Sequence, residues 1–161
     1  MKTTIRTMQS NDTQNVQEVA KVSWNVTYTG IIPEDIQERF LAGAYNNEVM
    51  QRRIDHSVML VAEQEETVVG FANFSRVNDA GESELAAIYL HPEHQGSGIG
   101  TALLQEGIKQ LKNVKKIFIT VEKENLIGKS FYDAKGFETI DGFEEDFDGH
   151  MLQSIRMVLT L

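Results

Sequence analysis

The stretch HPEHQGSGIGTALL, residues 91–104, constrains this chain more than any other. Three glycines at every second position, Gly96, Gly98 and Gly100, run straight into an apolar helical pattern. Ile99, Leu103, Leu104, Ile108 and Leu111 mark one face of a helix of about 14 residues. The preceding run ELAAIYL is almost continuously apolar and of strand length, which predicts a central buried strand. Amides at the start of a helix have no internal acceptors and sit at the positive end of its dipole, so several can point at one polyanion. Glycine lets a phosphate approach without a Cβ in the way. A turn needing glycine for its geometry alone would use the same residues.

Two nucleotide motifs fail on spacing. The pattern G-x-G-x-x-G would need a third glycine where Thr101 or Leu103 stands. Gly128-Lys129-Ser130 could end a P-loop, but its first glycine would have to replace Lys123. What remains is Q-x-x-G-x-G, here Gln95, Gly98 and Gly100, after a buried strand and at the start of an amphipathic helix. This resembles the GNAT superfamily of N-acetyltransferases. A second block is similar to that family's N-x-x-x-x-x-F-Y-x-x-x-G-F helix: Asn125, then FYDAKGF with Tyr132 and the closing Gly136-Phe137. Together the blocks span residues 84–138. Outside them, SWNVTYTGIIPEDI is similar to the N-terminal helix region of the PaiA-like branch of bacterial polyamine acetyltransferases.

The rest of the chain fits that outline. Its 161 residues predict a single domain over 1–161. Residues 3–8 predict a strand, with Asp12 as cap of a following helix that carries Val16, Val19, Ala20 and Ser23 on one face. Gly30 and Pro33 separate this from a second helix through Ala42, and a further helical piece covers Glu48–Asp55. SVMLVAE and TVVGFANFSR form an antiparallel hairpin, KKIFITV a later strand, and FETI and HMLQSIRMVLTL two terminal strands around an acidic loop GFEEDFDG. The sum is an α/β domain: a mixed central sheet of six or seven strands, antiparallel at its N-terminal part, with a strand–helix–strand crossover later and about four flanking helices. The resemblance adds that two strands splay at the cofactor site.

Composition limits the function classes. With 15 basic and 24 acidic side chains the formal charge is −9, which argues against nucleic acid and suits cationic partners. There is no cysteine, so a catalytic thiol, a disulfide and a thiolate metal site are excluded. No run of ~18 apolar residues predicts a membrane span, and a cytoplasmic location is the default expectation. His91 and His94 are spaced H-x-x-H, but Pro92 intervenes and no third ligand is evident, so no metal site is expected. The exposed last strand would suit a homodimer.

The resemblance implies acetyl-CoA as cofactor. Its pyrophosphate would be cradled by Gln95, Gly96, Ser97, Gly98, Ile99, Gly100 and Thr101, and its pantetheine arm would pair with the strand of Ile88, Tyr89 and Leu90, with Asn125 facing the same slot. By position Tyr132 would protonate the departing thiolate, a phenol of pKa ~10 facing a thiol of ~8.5. Glu84 would act as general base on the acceptor amine, and Trp24 and Tyr28 would wall the acceptor site. A plainer reading stands beside each: a core aromatic for Tyr132, a solvated strand-end charge for Glu84, a helix cap for Asn125, and helix packing for Trp24 and Tyr28. A small cationic amine such as a polyamine is the first acceptor. A protein N-terminus or lysine is the second, and a non-catalytic acyl-CoA sensor is the alternative of another class.

Overall fold

The computed structural model describes residues 2–161. Its elements run β1 (Thr3–Thr7), α1 (Thr13–Tyr28), α2 (Glu34–Ala44), α3 (Asn47–His56), β2 (Val58–Gln64), β3 (Thr67–Phe74), β4 (Glu82–Leu90), α4 (Ile99–Gln110), β5 (Lys116–Glu122), α5 (Leu126–Ala134), β6 (Glu138–Phe147) and β7 (His150–Thr160). One seven-stranded sheet has the order β1-β2-β3-β4-β5-β7-β6. The first four strands are antiparallel neighbours, and α4 carries the chain over to the parallel strand β5. Among the described residues five helices flank the sheet, against about four expected, with both expected breaks of the N-terminal helical region present. Gly30 turns with φ 85° before Pro33, and Asn46 caps α3 by accepting the Val49 amide at 2.9 Å. The Asp12 side chain does not cap α1 but faces backward, accepting the Gln9 amide at 2.8 Å. Its carboxylate also takes both Arg6 nitrogens, at 2.8 and 2.9 Å, tying α1 to β1.

Three expectations for the C-terminal part need correcting. The final strand is no edge: β7 lies between β5 and β6, so the observation that suggested a dimer is gone. GFEEDFDG is mostly strand, since β6 continues to Phe147 and only Asp148 and Gly149, both at positive φ, make the turn. Asp-Gly is the residue pair that such a two-residue hairpin turn requires. Gly128, inside α5, is explained by local packing: a Cβ there would stand 2.8 Å from the Asn125 amide that caps the helix.

The sheet divides the core. On one face α4 buries Ile99, Leu103 and Leu104 against Leu85, Ile117, Ile119, Val121 and Met157. Each such side chain contributes roughly 1.5–3 kcal/mol of transfer free energy. On the other face, Val16, Val19 and Ala20 of α1 pack with Met50, Val61 and Phe71. A third cluster, Trp24, Tyr28, Ile32, Ile36 and Leu152, joins the end of α1 to β7.

Two features of β4 open the sheet. It pairs with β5 only over Glu82–Glu84, against Lys116–Phe118, and the strands part beyond that point. The β3–β4 register also slips, with Asn73 opposite Ala87 and Phe74 opposite Leu85, leaving Ala86 as a bulge. The bulge resets the alternation. Leu85, Ile88 and Leu90 belong with the α4 core, whereas Ala87 and Tyr89 pack on the α1 face with Glu84.

Candidate active site

The turn ahead of α4 uses its glycines for two different reasons. Gly96 and Gly98 have φ of 79° and 84°, and an added Cβ would meet nothing within 4 Å at either, so only their conformation demands glycine. Gly100 has an ordinary helical position, and a Cβ there would stand 3.1 Å from the Phe131 ring of α5. Gln95, Gly96, Ser97 and Gly98 are exposed, and the Ser97 hydroxyl is folded back onto the His94 carbonyl at 2.6 Å. The first helical bond runs from the Ala102 amide to the Gly98 carbonyl, so the amides of Ile99, Gly100 and Thr101 precede it without an intrahelical acceptor. An open, left-handed turn with amides gathered at a helix start suits a pyrophosphate. His91 accepts the Glu93 amide with its ring at 3.3 Å and sits 6.0 Å from the His94 ring.

Behind this turn lies the gap between β4 and β5. The His91 amide donates to Val69 of β3 at 2.8 Å, so the Leu90 amide and carbonyl, one residue earlier, turn to the gap side. The Leu90 carbonyl there accepts the Ser23 hydroxyl at 2.7 Å. Ser23 is buried and counts as polar, although its spacing suggested an ordinary core position of α1.

A chain of aromatic side chains closes the same region. The Trp24 indole donates to the Tyr89 hydroxyl at 3.1 Å. Trp24 itself is packed rather than open, stacked on Phe40 at 4.3 Å, with Tyr28 at 4.4 Å and Phe147 at 5.9 Å. The Tyr28 phenol stands among the Tyr89 hydroxyl, the Asn125 side chain and the Glu122 carboxylate, and burial raises its pKa. Tyr132 packs edge-on to Phe131 and Phe137, at 5.5 and 5.4 Å, and Tyr28 lies within its field. As a residue Tyr132 is only half-buried, yet the protein around its phenol raises that pKa well above the usual tyrosine value. The group therefore stays protonated across the neutral range. Asn125 caps α5, accepting the Gly128 amide at 3.0 Å, while its side chain neighbours Tyr28.

Glu84 is placed differently. It sits at the closed end of the gap, where both its oxygens take the Arg156 guanidinium at 2.7 Å. Arg156 also donates to Thr120 at 3.1 Å and lies 5.0 Å over the Phe118 ring. Both carboxylate oxygens are thus committed to the guanidinium, and Glu84 faces Arg156 rather than open space for an acceptor amine.

Two cavities lie on the α1 side. One, of about 570 Å³, is formed by the α1–α2 turn with Gln37 and His150. The other, of about 470 Å³, lies at the end of β5 and includes Glu122 and Leu126. They share Ile31 and His150, whose Nε2 donates to the Ile31 carbonyl at 2.9 Å.

Residues 23–137 match the model of the acetyltransferase (GNAT) family. This chain belongs to the GNAT family. It is thus an N-acetyltransferase that draws on acetyl-CoA. Among curated relatives it is similar to the spermidine N(1)-acetyltransferase of Thermoplasma acidophilum, 32% identical over 89% of this chain and 92% of that protein. Among solved structures it is similar to the PaiA N-acetyltransferase of Thermoplasma acidophilum in complex with coenzyme A, with a TM-score of 0.86, 29% identity and full coverage of both chains. It also resembles the yncA acetyltransferase of Salmonella typhimurium with acetyl-CoA, with a TM-score of 0.72, 25% identity, and coverage of 100% of this chain and 95% of that one. The seven-stranded sheet with its β4–β5 opening is that family's fold. No helix among the described residues is long and apolar enough to cross a membrane.

Sequence reasoning missed several residues here: Ser23, the Tyr89 hydroxyl, Glu122, Phe147 and Arg156. Alternation along β5 puts Phe118, Thr120 and Glu122 opposite the buried Ile117, Ile119 and Val121, which was a usable signal for Glu122. The pattern does not tell that α1 and β7 roof that face.

Proposed function

We propose that this enzyme acetylates a small aliphatic primary amine, with a polyamine as the first candidate, by direct transfer and without a covalent enzyme intermediate. The observation that carries this is the arrangement behind the glycine turn, where the Leu90 amide, the Tyr132 phenol and the Tyr28–Tyr89 pair flank one gap in the sheet. The similarity to a spermidine acetyltransferase and the formal charge of −9 support a cationic acceptor.

Acetyl-CoA supplies an acetyl group already activated as a thioester. Gln95 and the amides of Gly96, Ser97, Gly98, Ile99, Gly100 and Thr101 would hold its pyrophosphate, and the free edge of Ile88, Tyr89 and Leu90 would hold its pantetheine arm beside Asn125. The Leu90 amide would donate to the reacting carbonyl oxygen. Tyr132 would hold its proton for the departing sulfur. Its raised pKa makes the phenol a weaker acid, but a thiolate enclosed in the same slot is desolvated too and becomes a stronger base. Trp24 acts one step back: by donating to Tyr89 it fixes the ring that adjoins Tyr28.

The test is release of free CoA from acetyl-CoA with spermidine, spermine, diamines, amino acids and short peptides. Polyamines turning over fastest is the expected result. Preference for peptides would move the acceptor to a protein terminus or lysine. Tight acetyl-CoA binding with no turnover on any amine would favour the sensor.

A further inference from the structure

An alkylamine arrives as an ammonium ion and must lose a proton before it can attack, since its pKa is near ~10. Tyr132 supplies a proton and cannot remove one, and Glu84 is bound by Arg156. The carboxylate buried on this face is Glu122, the last residue of β5, which is only 7% exposed.

Its surroundings are unusual for a carboxylate. One oxygen accepts the Glu124 amide at 2.7 Å, and no lysine or arginine is among the groups that act on it. Burial pushes its pKa above the ordinary range, and the nearby Glu124 adds to that. The other titratable groups around it are Tyr28 on α1, His150 on β7 across the cavity, Glu145 on β6, which accepts the hydroxyl of the facing Ser154 at 3.1 Å, and Lys123, which is solvent-exposed and lines the same cavity. A buried carboxylate is normally paired. This one lacks a cation and lines a cavity of about 470 Å³.

The rest of that cavity matches an alkyl chain. Ile31 and Leu152 line it, together with Leu126 and Met151, which are 71% and 54% exposed. Large apolar side chains left open around a single buried charge offer cover for methylenes and a counter-ion for an amine. Tyr28 links this cavity to the catalytic slot by packing: it shares one cluster with Ile31 and Leu152 of the cavity lining, and its ring lies 4.4 Å from Trp24, whose indole donates to the Tyr89 hydroxyl.

We propose that the cavity at the end of β5 receives the acceptor as an alkylammonium ion, and that Glu122 binds that ion and takes its proton. This rests on the acetyltransferase reading above. The ammonium gives one proton to Glu122 and becomes the free amine. Its nitrogen forms the N–C bond as the C–S bond breaks, and Tyr132 gives its proton to the departing sulfur. The second proton shed by nitrogen restores the phenol through solvent, and Glu122 returns its own to solvent. The net products are the acetamide, the CoA thiol and one proton.

The experiment compares wild type with Glu122→Gln, which keeps an oxygen to accept the Glu124 amide. Three quantities are measured: turnover with acetyl-CoA and spermidine, calorimetric binding of spermidine alone, and calorimetric binding of acetyl-CoA alone, with Tm recorded for both proteins. The expected result is turnover lower by about 10²–10⁴-fold, spermidine binding weaker by at least about tenfold, unchanged acetyl-CoA binding, and a Tm no lower than wild type. Equal turnover and equal spermidine binding would overturn the proposal. A fall in Tm together with weaker acetyl-CoA binding would overturn it too, since that marks a structural carboxylate. If wild type acetylates no amine at all, the function reading fails, and spermidine binding alone judges Glu122: affinity lost in the variant upholds the ion site, and equal behaviour removes it.

Discussion

On the function proposed above, the glycine turn before α4 would hold acetyl-CoA and the α1-side cavity at the end of β5 the acceptor, and the two are built in opposite ways. The turn is local: within residues 95–101 it gathers left-handed glycines and helix-start amides, with Gln95 and Ser97 in solvent and Ile99 anchoring it in the core. The cavity is assembled from distant segments, with Ile31 from the α1–α2 turn, Glu122 and Leu126 around the end of β5, and His150–Gln153 from β7. A pyrophosphate is a fixed chemical object that backbone alone can bind. An acceptor amine varies between enzymes, and its recognition falls to side chains brought together by the fold.

The largest expected effect lies where the two regions meet. Tyr132→Phe removes a proton donor and little volume, so kcat should fall by about 10²–10⁴-fold while the affinity for acetyl-CoA stays as in wild type. Single-turnover kinetics with acetyl-CoA binding measured in parallel checks it. Unchanged turnover would take Tyr132 out of the chemistry and leave the turn and the cavity without a shared acid.

Next come two glycines of one helix region that should fail for different reasons. Gly98→Ala places a Cβ in open space at φ 84°, a strain of roughly 1–2 kcal/mol. Because the site of that strain is the cradle, KM for acetyl-CoA should rise by about tenfold, with Tm shifted only a few degrees. Gly107→Ala would put its Cβ 2.2 Å from the Phe74 ring in the sheet-side core. It should lose roughly 1–3 kcal/mol of stability and leave KM alone. A Gly107 variant that spared Tm and raised KM would erase the distinction between cradle and core.

How much of this the amino-acid sequence disclosed follows the same division. The β-rich runs of β2 and β3, the crossover through α4 and the glycine-rich turn are patterns within short windows, and they were legible. The position of β7 between β5 and β6 was not, because strand order depends on pairings between segments far apart in the chain. That insertion is what puts Ser154 opposite Glu122 and Arg156 opposite Thr120, within reach of Glu84. Glu84 therefore read as a general base or a solvated strand-end charge, and Glu122, one residue past the expected strand KKIFITV, was not singled out. The acidic hairpin read as a loop because its charges hid Phe143 and Phe147, which alternate along β6. Ser23 passed for a core position because its partner, the Leu90 carbonyl, belongs to a strand 67 residues away.

A smaller effect separates the two carboxylates of the acceptor face. Glu84→Gln breaks a half-exposed ion pair with Arg156, which should reduce stability by about 1 kcal/mol or less and turnover by no more than a few-fold. Steady-state kinetics on the spermidine reaction decides it. A loss approaching that of Tyr132→Phe would return the base to β4 and count against Glu122.

The smallest effect is a pH dependence, and its sign separates the acceptor cavity from the rest of the fold. The Glu122 carboxyl has its pKa raised in the folded state, chiefly by burial, above its ordinary value of 4.5. The folded chain then holds that proton more tightly than the unfolded chain does. Its contribution to stability is fully present below pH 4.5 and is lost as pH rises through the folded value. Asp12 has the opposite shift, lowered chiefly by its hydrogen bond to Arg6, and its contribution is lost as pH falls. Glu122→Gln removes the first effect and keeps the second. The variant should therefore match wild type in Tm at pH 4, gain on it as pH rises above 4.5, and level off once pH passes the raised folded value. A constant difference across that range would mean that the cavity imposes no penalty on its carboxylate, and the contrast with the strain-free amides of the glycine turn would disappear.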